Sequence, residues 1–193
     1  MDKLEEFNLV KIPCPGDGSC YFHSILRGFC KGYIDGNEDV RINYVKHLRK
    51  KLATILQNGD EYKKLYGGTL EEFGKTINEF SLNNIIKELL SDDYVNNEVY
   101  QELISNLFNI DIYIIDLIKK DIYMLACNDK YLYKNRNSII LGYSYSIDNE
   151  LLNHYDIIGV KNENGIINTF FTPDHNLIIK LNEIKKLKLK LKN

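Results

Sequence analysis

Asp17-Gly18-Ser19-Cys20-Tyr21-Phe22-His23-Ser24 sets a cysteine between a glycine-containing turn and an amphipathic run. Phe22, Ile25, Leu26 and Phe29 recur at helical spacing, which predicts a helix from about Ser19 to Cys30 with one buried face. Cys20 falls in its first turn. Unpaired backbone N–H groups and the positive end of the helix dipole favour a thiolate there, and the same donors can hold the oxyanion of an acyl-transfer intermediate. Cys20 is therefore a candidate nucleophile. Its own N–H is the expected oxyanion donor, and Gly18 supplies the backbone freedom that the turn requires.

Such a cysteine needs a base, and the base needs a third group to fix its tautomer. Of the four histidines, His154 opens a strand-like run. Residues i and i+2 of a strand share a face about 7 Å apart, so Asp156 lies beside His154 and Tyr155 points the other way, into packing. Asp17 is the competing acid: three residues before Cys20, it suits an N-cap that accepts the N–H of Ser19 or Cys20. Side-chain direction favours Asp156 as the partner of His154 and leaves Asp17 open as the alternative. His23, one turn past Cys20, reads as a cleft-lining or surface residue or one that supports the site residues from behind, His47 as part of a solvated basic face, and His175 as a loop residue. Cys14, Cys20, His23 and Cys30 lack the paired Cys-x-x-Cys spacing of structural sites, so no metal is expected, and the chemistry calls for no cofactor.

Outward from these residues, the pattern predicts a second helix from about Asp39 to Gln57, with Arg41, Lys46, Arg49, Lys50 and Lys51 opposite or flanking its apolar face. Asn58-Gly59-Asp60 ends it, Gly67-Gly68 marks a loop, and Thr69 with Glu72 forms a capping box before short helices that reach Leu90. A helix from Asn97 to Phe108 leads into strands at Ile110–Asp116, Ile122–Ala126, Ser138–Tyr143, Tyr155–Val160 and Ile166–Phe171. Helices first and strands later define an α+β domain with a mainly C-terminal β-sheet. The lysine-rich end, Leu177 to Leu191, fits a helix in part and alternates in part.

The 193 residues suit one domain, and 44% hydrophobic with 27% charged residues is ordinary for a soluble globular chain. A net charge of −2 speaks against nucleic acid as the main partner. No apolar run reaches the roughly 20 residues of a membrane helix, and a monomer is expected. Cys14, Cys20, Cys30 and Cys127 are too dispersed for a disulfide framework, and Met1-Asp2-Lys3-Leu4-Glu5-Glu6 has no apolar signal core. A cytoplasmic location is expected, in the chain's own cell or in a host's.

Three segments together resemble the ovarian-tumour (OTU) family of cysteine proteases. Asp17 to Ser24 resembles its Asp-Gly-x-Cys nucleophile motif, which continues with two large apolar residues, a basic one and a small one. Glu98 to Ile115 resembles the family's central helix running into a strand, and His154-Tyr155-Asp156 its C-terminal His-Tyr-x block, which supplies the general base. The likeness spans roughly Ile12 to Val160. It implies a single papain-like OTU domain, N-terminal helices packed on a C-terminal sheet, over residues 1–172, followed by a lysine-rich tail over 173–193. It implies a deubiquitinating cysteine isopeptidase that works through a thioester, with ubiquitin, polyubiquitin chains or ubiquitin-like modifiers as partners. Cys20 and His154 are its catalytic residues by that likeness, with Asp156 or Asp17 as the acid, or Asp17 as organiser of the oxyanion turn.

Two alternatives stand beside it. Gly18-Ser19-Cys20-Tyr21 also fits most of the papain-type signature, and His154 follows Cys20 by 134 positions, inside that family's interval of about 130–150. Asp17 replaces the first cysteine of that signature, however, Cys14 stands where an oxyanion glutamine belongs, and no Asn-Ser-Trp follows His154. The other alternative is a non-catalytic ubiquitin-binding module on the OTU fold, which an intact Cys20, His154 and Asp156 set gives little reason to prefer.

Overall fold

A computed structural model of the chain describes residues 4, 6–76, 82–92, 97–119, 121–123, 135–145 and 153–192. It opens with strand β1 (Leu9–Ile12), which stops at Pro13, a residue with no N–H to give a ladder. Helices α1 (Cys20–Phe29), α2 (Lys31–Asp35), α3 (Glu38–Gln57), α4 (Gly59–Tyr66), α5 (Leu70–Thr76), α6 (Leu82–Leu90) and α7 (Asn97–Phe108) follow. Strands β2 (Asp111–Asp116), β3 (Asp121–Tyr123), β4 (Ser138–Ser144), β5 (His154–Lys161) and β6 (Ile167–Asn168) come next, and α8 (Asn176–Lys192) closes the chain.

The helix boundaries follow their caps. Asn37 accepts the N–H of Val40 at 3.0 Å and starts α3, with Glu38 and Asp39 in the favoured acidic first turn. Asn58 accepts the N–H groups of Asp60 and Glu61, so the segment expected only to end one helix also begins another, α4, which the sequence pattern missed. Gly67, at φ 75°, closes α4 in the left-handed conformation that glycine takes without strain. The expected capping box is present: Glu72 Oε2 accepts the Thr69 N–H at 2.7 Å, and the Glu72 N–H donates to Thr69 Oγ1 at 3.2 Å.

The sheet runs β1-β5-β4-β2-β3, antiparallel except for the parallel β2–β4 pair, with β6 also joined to β5. Alternation along the strands divides two cores. Ile112, Ile114, Ile139, Leu141, Tyr155 and Ile157 face α1, α3, α6 and α7. Tyr113, Ile115, Ile140 and Ile158 face the other way and pack with Phe171, Leu177, Ile178 and Leu181. The segment read as a lysine-rich tail thus begins as a helix whose first turns belong to the core. Among the described residues no helix is long and apolar enough to cross a membrane.

Three strands differ from expectation. β1 was not foreseen: four residues before a proline carry little periodic signal, yet they pair with β5 from Leu9–Val160 to Ile12–Ile157. The last strand shrinks to β6 and an isolated Ser138–Phe171 bridge. There Asn168 Oδ1 accepts the Phe170 N–H and the Thr169 hydroxyl donates to the carbonyl of Gly28, contacts that turn the chain off the ladder. β3 pairs with β2 as the expected hairpin partner, and residues 124–126 of that expected strand lie outside the described residues.

Helix α1 is pressed on the sheet at Gly28, where an added Cβ would stand 2.8 Å from Ile139 Cγ2 and 3.2 Å from Ile157 Cδ1. Gly28→Val is expected to cost about 1–3 kcal/mol by overpacking. A lowered urea midpoint with an unchanged m-value checks this, and an unchanged midpoint would refute so close a contact.

Candidate active site

The site forms where β1 gives up its pairing. After Ile12–Ile157 the chain leaves the ladder at Pro13, and the next N–H, that of Cys14, has lost its strand partner. It donates to Asp156 Oδ1 at 2.9 Å. His154 Nε2 lies 3.0 Å from the same oxygen, and Lys11 Nζ lies 3.1 Å from Oδ2. Register explains Lys11: it pairs with Ile158, which makes it the diagonal neighbour of Asp156 across the two strands. Asp156 is 1% exposed, and a carboxylate so buried requires this full set of partners. Because the carboxylate only accepts, His154 Nε2 carries the proton of the neutral ring and Nδ1 is the acceptor. Nδ1 lies over Gly16, 3.9 Å from where a Cβ would stand.

Cys20 is the first residue of α1 and is 3% exposed. Burial pushes its thiol above the ordinary value, while hydrogen bonds to the backbone of Tyr155 and Tyr21 pull it down and the charges of Asp17 and Asp156 push it up. The sulfur therefore lies against the residue that follows His154. The helix start was expected to favour a thiolate, but desolvation outweighs it and Cys20 rests as a thiol. Cys14, also buried, is pushed up to about 12, chiefly by desolvation. Cys30 packs half-buried against the core.

Asp17 goes elsewhere. Its Oδ1 accepts the Ser19 N–H at 3.0 Å, and its Oδ2 lies 2.9 Å from His23 Nε2, whose Nδ1 lies 2.6 Å from the Tyr33 hydroxyl. Of the two carboxylates, Asp156 is the one bonded to His154, and Asp17 is bonded to His23. Asp17 is also not the N-cap: Ser19 holds that position, and Asp17 makes an Asx turn around Gly18, which sits at φ 80°. His23 corrects the surface reading, since it is 1% exposed and bonded at both ring nitrogens. Burial lowers its pKa against the opposing pull of Asp17. His47 is exposed as expected, and His175 Nδ1 accepts the Leu177 N–H at the start of α8.

Sequence reasoning passed over Lys11, Tyr33 and Arg49. Lys11 stands in an apolar strand ended by proline, a weak signal that it lines an edge. Tyr33 sits one residue after a glycine in a five-residue helix and gave none. Arg49 was placed on a polar face, whereas it is 3% exposed beneath α6 and the turn.

A thiol at the head of a helix, packed on a strand that opens with a histidine–carboxylate pair, is the layout of a papain-like cysteine protease domain. The chain belongs to the OTU-like cysteine proteases, whose family model matches residues 15–155. A solved structure described as an ovarian tumor (OTU) domain in complex with ubiquitin has the same fold, with a TM-score of 0.59 and 18% identity over 94% of this chain and 88% of that one. A comparison with curated protein sequences finds no match.

A buried thiol reacts only as its small thiolate fraction allows. Alkylation of Cys20 by iodoacetamide, followed by mass spectrometry, is expected to reach half its limiting rate at a pH above the ordinary thiol value of 9.0. A midpoint near about pH 7 would instead reveal a preformed thiolate.

Proposed function

We propose that this protein is a deubiquitinating cysteine isopeptidase, which cuts the bond between the C-terminal glycine of ubiquitin, or of a ubiquitin-like modifier, and a lysine. The observation that carries the proposal is the pairing of His154 Nε2 with the buried Asp156 at 3.0 Å, on the strand against which Cys20 packs. Family membership and the fold shared with a ubiquitin-bound OTU domain support the substrate class.

Cys20 Sγ attacks the glycine carbonyl carbon while His154 Nδ1 takes the thiol proton. Because burial raises the thiol, the attack depends on His154 taking this proton. The oxyanion is held by backbone N–H groups at the head of α1. Its collapse expels the lysine amine, which takes the proton back from His154, and leaves a thioester. A water deprotonated by His154 then attacks, and Cys20 leaves as the thiol. Asp156 keeps the ring in the Nε2–H tautomer and stabilises the transient imidazolium. Asp17 holds the turn rather than the base. The thiol and imidazole suffice without metal or cofactor.

The test is a ubiquitin bearing a thiol-reactive C-terminal warhead, incubated with wild type, Cys20→Ala, Asp156→Ala and Asp17→Asn. Wild type is expected to gain the mass of one ubiquitin, and Cys20→Ala none. Asp156→Ala is expected to slow hydrolysis of a ubiquitin amide by at least about 100-fold, through loss of the correct tautomer. Asp17→Asn, which keeps an acceptor for the Ser19 N–H, should slow it by less. Folded wild type inert to ubiquitin and ubiquitin-like probes would overturn the proposal in favour of a binding module.

A further inference from the structure

Ser19 is the N-cap of α1, where a serine hydroxyl ordinarily accepts the N–H of the second or third helical residue, here Tyr21 or Phe22. Ser19 makes no such bond: at φ −111° and ψ 14° its backbone lies outside the extended region from which a cap bond forms, and the Arg49 contact is made in that non-capping conformation. Its Oγ is instead 2.6 Å from Arg49 Nη1, which donates to it. Arg49 comes from the middle of α3, and its guanidinium also donates to the carbonyl of Leu89 through Nε at 3.2 Å and to that of Glu88 through Nη2 at 2.6 Å. It lies 5.6 Å from the centroid of the Phe22 ring. The side chain is thus fixed in a planar fork between the last turn of α6 and the nucleophile turn, a geometry that lysine cannot reproduce.

The diversion of the Ser19 hydroxyl matters because of the donor it would otherwise occupy. The Tyr21 backbone bonds to the Cys20 sulfur. A capping Ser19 Oγ would compete for that donor, and for its neighbour Phe22, with any negative charge that develops at the site. We infer that Arg49 is a positioning residue: by holding the Ser19 hydroxyl off α1, it keeps the first-turn N–H groups open to the sulfur and to the reacting carbonyl. Its contacts with Glu88 and Leu89 tie that arrangement to the end of α6. The inference rests on Cys20 being the nucleophile of the proposed reaction.

Competition of this kind has a signature that simple destabilisation lacks, since removing the competitor should remove the effect. Arg49→Gln and Arg49→Lys, each made in wild type and in Ser19→Ala, are compared on a fluorogenic ubiquitin C-terminal amide, with thermal midpoints recorded alongside. In the wild-type background Arg49→Gln is expected to lower kcat about 10- to 100-fold with little change in KM, less than the roughly 100- to 1,000-fold of a deleted oxyanion donor because the donor is competed for rather than removed. In the Ser19→Ala background the same substitution should lower kcat by less than about three-fold, a coupling typical of residues in contact. The midpoint should fall in both backgrounds and stay above the assay temperature. Equal kcat losses in the two backgrounds, or a loss confined to KM, would overturn the inference. If Arg49→Gln does not fold, Arg49→Lys, which keeps a cation near the α6 carbonyls, decides by the same comparison.

The outcome is separable from that of the proposed function. Should wild type fail to turn over the ubiquitin amide, the same four-way comparison is read on iodoacetamide alkylation of Cys20 at fixed pH. Slower alkylation in the arginine variants that Ser19→Ala restores would uphold the positioning role. Identical rates across the set would overturn it.

Discussion

The buried carboxylate of Asp156 is the constraint from which the site is built. A charge removed from water must be met by donors, and here the donors come from three different parts of the chain: Lys11 on β1, the Cys14 N–H just past it, and His154 on β5. Each partner also fixes something else. Lys11 requires the register in which it pairs with Ile158, Cys14 fixes where the chain crosses toward α1, and His154 is left with Nδ1 as its acceptor. The interaction that orients the histidine is therefore also the one that ends β1 and directs the loop from which the cysteine helix starts.

A second polar system holds that loop from its far side. Asp17, His23 and Tyr33 form a chain of hydrogen bonds that ends on the Ser19 N–H, while Arg49 takes the Ser19 hydroxyl. The neutral His23 satisfies both neighbours at once, because Nε2 donates to the carboxylate and the Tyr33 hydroxyl donates to Nδ1. Its pKa, lowered by burial, agrees with a ring that stays neutral. Such fully satisfied buried networks are rigid, and rigidity is what a turn presenting backbone donors needs.

A cysteine at the head of a helix, a His-x-Asp at the start of a strand and the helix-then-strand order were legible because each rests on local spacing. What stayed hidden depends on contacts between distant segments. Arg49 sits among Lys46, Lys50 and Lys51, so its sequence neighbourhood reads as solvated. Only the packing of α6 over α3 encloses it. His23 is hidden for the same reason, since its partner Tyr33 comes from a helix too short to announce itself. β1 is four residues long and gains its place solely from β5. Strand direction already favours Asp156 over Asp17 as the neighbour of His154, and in the structure Asp156 meets His154 while Asp17 meets His23.

Burial is the chief reason that the Cys20 thiol is raised, and the two carboxylates add to it. Both raise the thiol, and so does desolvation, against two backbone hydrogen bonds that lower it. A resting thiolate would have to overcome all three, whereas a thiol that loses its proton only as it attacks meets them differently. In the proposed reaction its proton would go to His154, beside the Asp156 carboxylate, and its charge to an oxyanion facing the N–H groups of α1. The same negative charges that disfavour the thiolate in the free protein thus favour the state in which the proton sits on His154. In the proposed reaction, differential stabilisation of that kind would raise the rate of the chemical step, while a raised thiol keeps the thiolate fraction of the free protein small.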